Sequence, residues 1–322
     1  MARSRWRFWA RPSELRQHGV LGINRRNSDY VLAANPRAHY PRVDDKLRTK
    51  QICQQRGISV PETYALIEKH GDVRRFGELI GRHQEFVIKP AAGAEGRGIV
   101  VIEGRDGTHF VTVGGERIAL TDLCYHLSAI LAGLYSLGGQ PDQVIIEQRI
   151  LRHPVFAEIA VGGTPDVRII LYRCVPVMAM VRLPTRASRG RANLHQGAVA
   201  AAVGLDTGRT FGGVCLQRAV SVHPDSGASI VGIQIPAWDR LLSAAINLAD
   251  GLEMGYIGVD FVLDAALGPV VLEANARPGL AIQIANRCGL LPRLRLIDAQ
   301  PAEMLRSDRR MELVERLAAI TS

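Results

Sequence analysis

No apolar run in this chain of 322 residues approaches the ~18 residues that a membrane-spanning helix needs. The longest candidate, 169–181, is interrupted by Arg173 and Pro176. The start is basic, Met1-Ala2-Arg3-Ser4-Arg5-Trp6-Arg7-Phe8-Trp9, but no apolar core follows it, so a secretory leader is not expected. Cysteine is scarce and odd in number: five residues, of which the nearest two are Cys174 and Cys215. That spacing excludes a disulfide framework and any Cys-x-x-Cys redox or metal site, and makes the cytoplasm the default location. Several catalytic signatures are missing as well. The chain has no Gly-Lys-Ser/Thr phosphate loop, no Gly-x-Gly-x-x-Gly, no Gly-x-Ser-x-Gly and no His-Glu-x-x-His. Internal repeats and low-complexity segments are absent too.

What is present is ordinary globular material. A hydrophobic content of 47% is enough to bury a sizeable core, and the length allows two or three compact lobes. The net charge of +9 invites a nucleic-acid reading. The basic residues are scattered, however, and a phosphate-bearing ligand serves them equally well, so nucleic acid is not the expected partner. The stretch Arg5-Trp6-Arg7-Phe8-Trp9 is expected to be a solvated arm rather than a membrane-touching one.

The most informative stretch is 258–279. It predicts two strands around a four-residue turn at 265–268, which sets Asp260 opposite Glu273. Alternation puts Asn275 on the same face as Glu273. Two carboxylates and an amide oxygen suit Mg²⁺, which is commonly shared between carboxylates and phosphates. The same alternation also describes the wet face of an antiparallel hairpin. Arg277, in Asn275-Ala276-Arg277-Pro278-Gly279, adds a fixed positive charge where a phosphate would lie.

Upstream, residues 1–40 predict no independent domain: a helical turn at 14–19 and a connection at 21–27. Asp44-Asp45-Lys46-Leu47 opens a helix, with aspartate as a good N-cap, and the helix stops at Gly57. A helix is expected over 72–81. A strand at 85–90 ends in Lys89, and the glycine-rich stretch 91–98 leads to a second strand at 99–103. Glycine backbones can approach phosphates closely, although such turns are also simply flexible. The stripe Leu123, Leu127, Ile130, Leu131 and Leu134 predicts a helix over 121–138. Residues 144–150 read as a crossing strand, 166–172 and 176–182 as further strands, and 183–191 as an arginine-rich active-site loop. His195, just beyond that loop, is either a structural histidine or a ligand contact. A helix at 238–251 and a closing helix at 301–322 complete the pattern.

Taken together, six stretches resemble the ATP-grasp ligases, and most closely the RimK-type and α-L-glutamate ligase-like members. They are Val87-Ile88-Lys89-Pro90 with its glycine loop, Glu147-Gln148-Arg149-Ile150, Asp166-Val167-Arg168, Arg191-Ala192-Asn193-Leu194-His195-Gln196-Gly197, Gly258-Val259-Asp260, and Glu273-Ala274-Asn275-Ala276-Arg277-Pro278-Gly279. The likeness runs from Asp45 to about Gly289. It implies an α/β (α+β) ATP-grasp fold with a first lobe at 41–147 carrying a lid hairpin at 85–103. A second lobe follows at 148–300, then a C-terminal helix at 301–322. It also implies ATP phosphates at Lys46 and Lys89 under a lid of Gly93, Gly96 and Gly98. Adenosine would sit at Glu147, Gln148 and Ile150, and Mg²⁺ or Mn²⁺, as two ions, at Asp260, Glu273 and Asn275. Arg168 and Asn193 would approach the γ-phosphate and the carboxylate substrate, with Arg182 and Arg277 assisting.

The implied reaction is carboxylate–amine ligation through an acyl phosphate, adding glutamate or another amino acid to a small-molecule, peptide or protein amine. A phosphotransferase and a non-catalytic nucleotide binder with a basic surface are the alternatives. The family's N-terminal α/β domain and its Asn-x-Ser-Pro-Gly ending are not matched. Only about 40 residues precede the Asp-Lys helix, which implies that another chain, such as a second copy, completes the acceptor side.

Overall fold

In a computed structural model, residues 11–320 are described, apart from 82, 94, 95 and 307. The expected arm at 5–9 lies outside them. The strands form two sheets, antiparallel throughout. The first sheet holds β1 (Thr63–Ile67), β2 (Phe86–Pro90), β3 (Val100–Asp106), β4 (His109–Thr112), β5 (Arg117–Ala119) and β6 (Val144–Glu147). Their order is β1-β6-β2-β3-β4-β5. The second holds β7 (Asp166–Tyr172), β8 (Val175–Leu183), β9 (Val199–Val203), β10 (Thr210–Cys215), β11 (Arg218–Val220), β12 (Tyr256–Asp264) and β13 (Gly268–Asn275). There the order is β11-β10-β9-β8-β7-β12-β13.

Each sheet has its own apolar core. Ile67, Phe76, Phe86, Ile88 and Ile146 close on Leu123, Leu127 and Ile130 of the Leu120–Leu131 helix. That helix stops a full two turns before 138. Gly133 has a left-handed φ of 83°, and a Cβ there would sit 2.3 Å from the Gln140 carbonyl oxygen, so the chain must turn away. Leu134, expected on the buried stripe, is consequently 68% exposed. The helix expected over 72–81 is likewise split, into His70–Arg74 and Phe76–Leu79.

The larger core lies against β7, β8 and β12. These strands are almost wholly buried, because the Trp238–Leu252 helix and the C-terminal helices Leu291–Asp298 and Arg310–Ala318 pack on the sheet. Val43, Cys53 and Ile58, assigned by sequence to the first lobe, belong to this second core. The cause is the Lys46–Gln55 helix, which packs on the Trp238–Leu252 helix so closely that a Cβ at Gly251 would meet Ile52 and Arg56.

Residues 19–35 are not a bare connection either. Ile23–Arg25, a π-helical turn Arg26–Val31 and Leu32–Ala34 run across the second lobe, with Leu21, Tyr30 and Val31 in its core. Gln283 fixes their start, accepting from Leu21 N–H at 2.8 Å and donating to Leu21 O at 3.1 Å.

Candidate active site

The β12–β13 hairpin carries the acidic residues. Asp264 pairs with Gly268, so the turn is Ala265, Ala266 and Leu267, one residue shorter than expected. Asp264 Oδ1 stabilises it by accepting from Ala266 N–H at 2.8 Å and Leu267 N–H at 2.9 Å. A β-bulge at Leu272 then adds the missing residue, and Asp260 does pair with Glu273. Two departures cancel, and the predicted register stands. Asn275 donates to Glu273 Oε1 at 3.2 Å, which confirms that these two share a face.

Asp260 is not left to a cation alone. It is 1% exposed and clamped by Arg168, with Nε to Oδ1 at 2.6 Å and Nη2 to Oδ2 at 2.5 Å. Arg182 Nη2 adds a bond to Oδ2 at 2.8 Å while Arg182 also forks onto Asp166 at 2.5 and 2.7 Å. The sheet order explains this, since Arg168 on β7 pairs with Asp260, and Asp166 with Arg182 on β8. Two buried acids thus face two buried guanidiniums. Burial works against ionisation of Asp260, but Arg168 and Arg182 hold its carboxyl well below the usual range. Burial pushes Asp166 the other way, with Arg182 opposing. The expected separation of roles, metal on Asp260 and phosphate on the arginines, is therefore one interlocked network. Asp166 was missed by sequence reasoning, although Asp166-Val167-Arg168 at the head of an apolar strand carries the signal.

β2 and the Lys46–Gln55 helix supply lysines. Glu147, 3% exposed at the end of β6, receives Lys89 Nζ on Oε1 at 2.5 Å and Lys50 Nζ on Oε2 at 2.7 Å. Lys50 also reaches Thr63 Oγ1 at 2.7 Å. Both oxygens of the Glu147 side chain, expected at adenosine, thus accept from ammonium groups. The Gln148 backbone N–H is likewise engaged, donating to Glu62 O at 2.8 Å. Ile150 lies beyond the strand end, where the crossover docks on the hairpin through Leu151 N–H to Asp264 Oδ2 at 2.8 Å. Lys50 escaped notice, but it stands four residues after Lys46 on one helical face.

Lys46 spans the lobes. Its Nζ donates to Gly93 O at 2.5 Å and Ala91 O at 3.3 Å. Burial lowers its ammonium pKa, and the Glu273 carboxylate counters that effect. Lys46, Lys50, Cys53, Lys89, Ile145 and Leu272 line a narrow crevice between the two sheets.

The glycine loop is tethered at both ends. Ala92 N–H donates to both Asp142 oxygens, at 3.0 and 3.1 Å, and a Cβ at Gly93 would lie 2.3 Å from the Pro90 ring. Gly98 has φ 76° with Tyr135 packed where a Cβ would be, and its carbonyl accepts from His126 Nε2 at 2.9 Å. Gly96 faces open space.

The remaining expected residues, Asn193 and Arg277, do not line the crevice. Asn193 caps a short turn, its Oδ1 accepting from His195 N–H at 3.0 Å. The preceding arginine-rich loop is firmly built: Thr185 and Ser188 are buried and exchange hydrogen bonds at 2.9–3.0 Å. Arg277 is exposed, its guanidinium 5.3 Å above the Tyr40 ring. The next residue, Pro278, covers Gly258, whose missing side chain makes room for the ring. Arg26 Nη1 donates to Pro278 O at 2.6 Å, so the 19–35 segment holds this turn in place.

The family model that matches this chain is the sugar-transfer associated ATP-grasp, over residues 25–299. Among curated proteins, the chain is 25% identical over 266 residues to a probable α-L-glutamate ligase of Sodalis glossinidius, covering 83% of this chain and 64% of that protein. It is 24% identical, with the same coverage, to the ribosomal protein bS6–L-glutamate ligase of Salmonella paratyphi B. The chain thus spans about 64% of the length of these relatives. Solved structures that align with it include the D-alanine–D-alanine ligase of Bacillus anthracis, with 15% identity, a TM-score of 0.45, and coverage of 89% of this chain and 71% of that one. Another is the D-alanyl-alanine synthetase A of Vibrio cholerae, with 10% identity, a TM-score of 0.47 and coverage of 89% and 68%. Two antiparallel sheets facing a lysine-lined crevice, matched by the family model over most of their length, make this chain a member of the ATP-grasp family.

Proposed function

We propose that this protein is an ATP- and Mg²⁺-dependent ligase that joins a carboxylate to an amine through an acyl phosphate. The observation that carries the reading is the meeting at one crevice of Lys46 and Lys89 with the hairpin strand that bears Glu273. The names of the curated relatives support ligation and point to glutamate as the acid. The acceptor amine is then that of a small molecule, a peptide or a protein end.

The residues fit a divalent cation. Glu273 is half-buried beside the Asn275 amide, and Asp260 keeps one lone pair, on Oδ1, beyond the three given to its arginines. Mg²⁺ asks little more, because phosphates and water complete its shell. The bound metal supplies neutralisation of charge on the transferring phosphoryl group. The chain's own residues do the rest by position. Lys46 and Lys89 offset phosphate charge from two sides of the crevice. Arg168 and Arg182, held rigid by Asp260 and Asp166, present guanidinium charge without reorganising during reaction. Closure of the glycine loop, anchored at Gly93 and Gly98, would keep water from the activated acid.

The test is release of ADP and phosphate from MgATP, with amino acids offered singly and in pairs. Release that requires one amino acid supports ligation, whereas ADP without free phosphate indicates a phosphotransferase. Glu273→Ala should abolish turnover and leave the unfolding midpoint nearly unchanged, since a half-buried carboxylate packs little. Full activity in that variant overturns the assignment.

A further inference from the structure

Glu147 has one cation more than it needs. It is buried, and Lys50 and Lys89 each hold one of its oxygens, at 2.7 and 2.5 Å. Both lysines are themselves buried. They arrive from different elements: Lys50 from the rigid Lys46–Gln55 helix, and Lys89 from the end of β2, next to the glycine loop. Lys50 has a second anchor in Thr63 Oγ1, whereas among the described residues Glu147 is the one partner of Lys89 Nζ.

The geometry points to Lys50 as a positioning residue that makes Lys89 available to nucleotide. This inference rests on the reading that Lys89 meets the phosphates of ATP. Lys89 Nζ has three N–H donors, and the charge it shares with a phosphate is drawn from Glu147. If it were the sole partner, that sharing would leave a buried carboxylate short of its counter-ion. Such a loss weakens the coupled equilibrium by on the order of a hundredfold or more. With Lys50 fixed in place, Glu147 stays neutralised and Lys89 moves at little cost. Lys50 therefore acts on ATP binding through Glu147, without touching the nucleotide.

Titration calorimetry with MgATP on the full chain tests this, with thermal unfolding recorded for every variant. Lys50→Met should weaken ATP binding by about 10- to 100-fold. Adding Glu147→Gln should restore affinity to within about threefold of Glu147→Gln alone, because a neutral amide needs no cation. A lysine that serves only the fold would lower the unfolding midpoint without changing the ATP affinity of the folded variant. Lys50→Arg, which keeps the charge, should bind nearly as the parent does.

Unchanged affinity in folded Lys50→Met, or failure of Glu147→Gln to rescue it, overturns the inference. Should Lys50→Met not fold, Glu147→Gln alone decides the matter. Freed of its acid, Lys89 should bind ATP at least as tightly as in the parent, and a folded Glu147→Gln that binds more weakly overturns the idea. Lys89→Met is the separate control. If it leaves ATP affinity intact, the phosphate reading of Lys89 fails, independently of how Lys50 and Glu147 behave.

Discussion

Asn35 offers a test of how the N-terminal segment holds the site. It is 2% exposed, and its amide stands where β13 would pair with β12 had β13 continued past Asn275. Oδ1 accepts from Tyr256 N–H at 2.8 Å, and Nδ2 donates to Tyr256 O at 2.7 Å and more weakly to Ala276 O at 3.4 Å. One side chain thereby completes the backbone bonding of a strand end. Asn35→Ala leaves a buried N–H and C=O unpaired. At roughly 1–3 kcal/mol for each unmade bond, and with some relaxation, the loss should come to about 3 kcal/mol. For a body of this size that lowers the unfolding midpoint by roughly 6–10 °C. Urea unfolding followed by the fluorescence of Trp238, buried in the second core, should give a lower midpoint and an unchanged slope. Asn35→Asp keeps the acceptor but loses the donor and buries a charge, so it should be at least as damaging. A loss below about 1 kcal/mol in Asn35→Ala would refute the reasoning, since the unpaired groups would then have found other partners.

Two further expectations concern the crevice. Gly98→Ala places a methyl 2.7 Å from the Tyr135 ring at a left-handed φ, a strain of about 1–2 kcal/mol before any clash is counted. The loop should shift and the KM for ATP rise several-fold, and steady-state kinetics with an unchanged KM would show that the loop is not a lid. Cys53 is enclosed in the crevice wall and burial pushes its thiol up to about 12, so at pH 8 its thiolate is on the order of one part in ten thousand. Iodoacetamide should label it only after urea unfolding, and labelling at the rate of a free thiol would contradict that burial.

The parts of the site that were legible in the sequence are local ones. Asp45 caps the Lys46–Gln55 helix as its residue type predicts, accepting from Leu47 N–H at 2.9 Å, and Gly57 ends it with a φ of 66°. Strand alternation put Glu273 and Asn275 together because period two is a property of any strand. The Asp260–Glu273 pairing was also read correctly, yet through a turn one residue too long and without the bulge that compensates. What stayed hidden depends on which strands lie side by side. Arg168 meets Asp260 because β7 and β12 are neighbours, although 92 residues separate them. Lys50 and Glu147 stand 97 residues apart. The helix past Leu131 failed for a different reason: apolar periodicity continues to Leu134, but Gly133 must bend the backbone under Gln140.

The strap formed by residues 19–35 has a consequence in time. Its side-chain hydrogen bonds to the rest of the molecule reach partners 221 to 262 residues further along the chain. At ribosomal rates of ~5–20 residues per second, those partners emerge roughly 10–50 s after the strap itself. Throughout that interval Leu21, Tyr30 and Val31 have no core to enter, and closing so long a loop comes only when the rest of the second lobe is at hand. The first sheet can form while the ribosome is still working. The bond from Arg26 to Pro278 joins residues 252 positions apart, so the turn that carries Arg277 is locked only once both have been made.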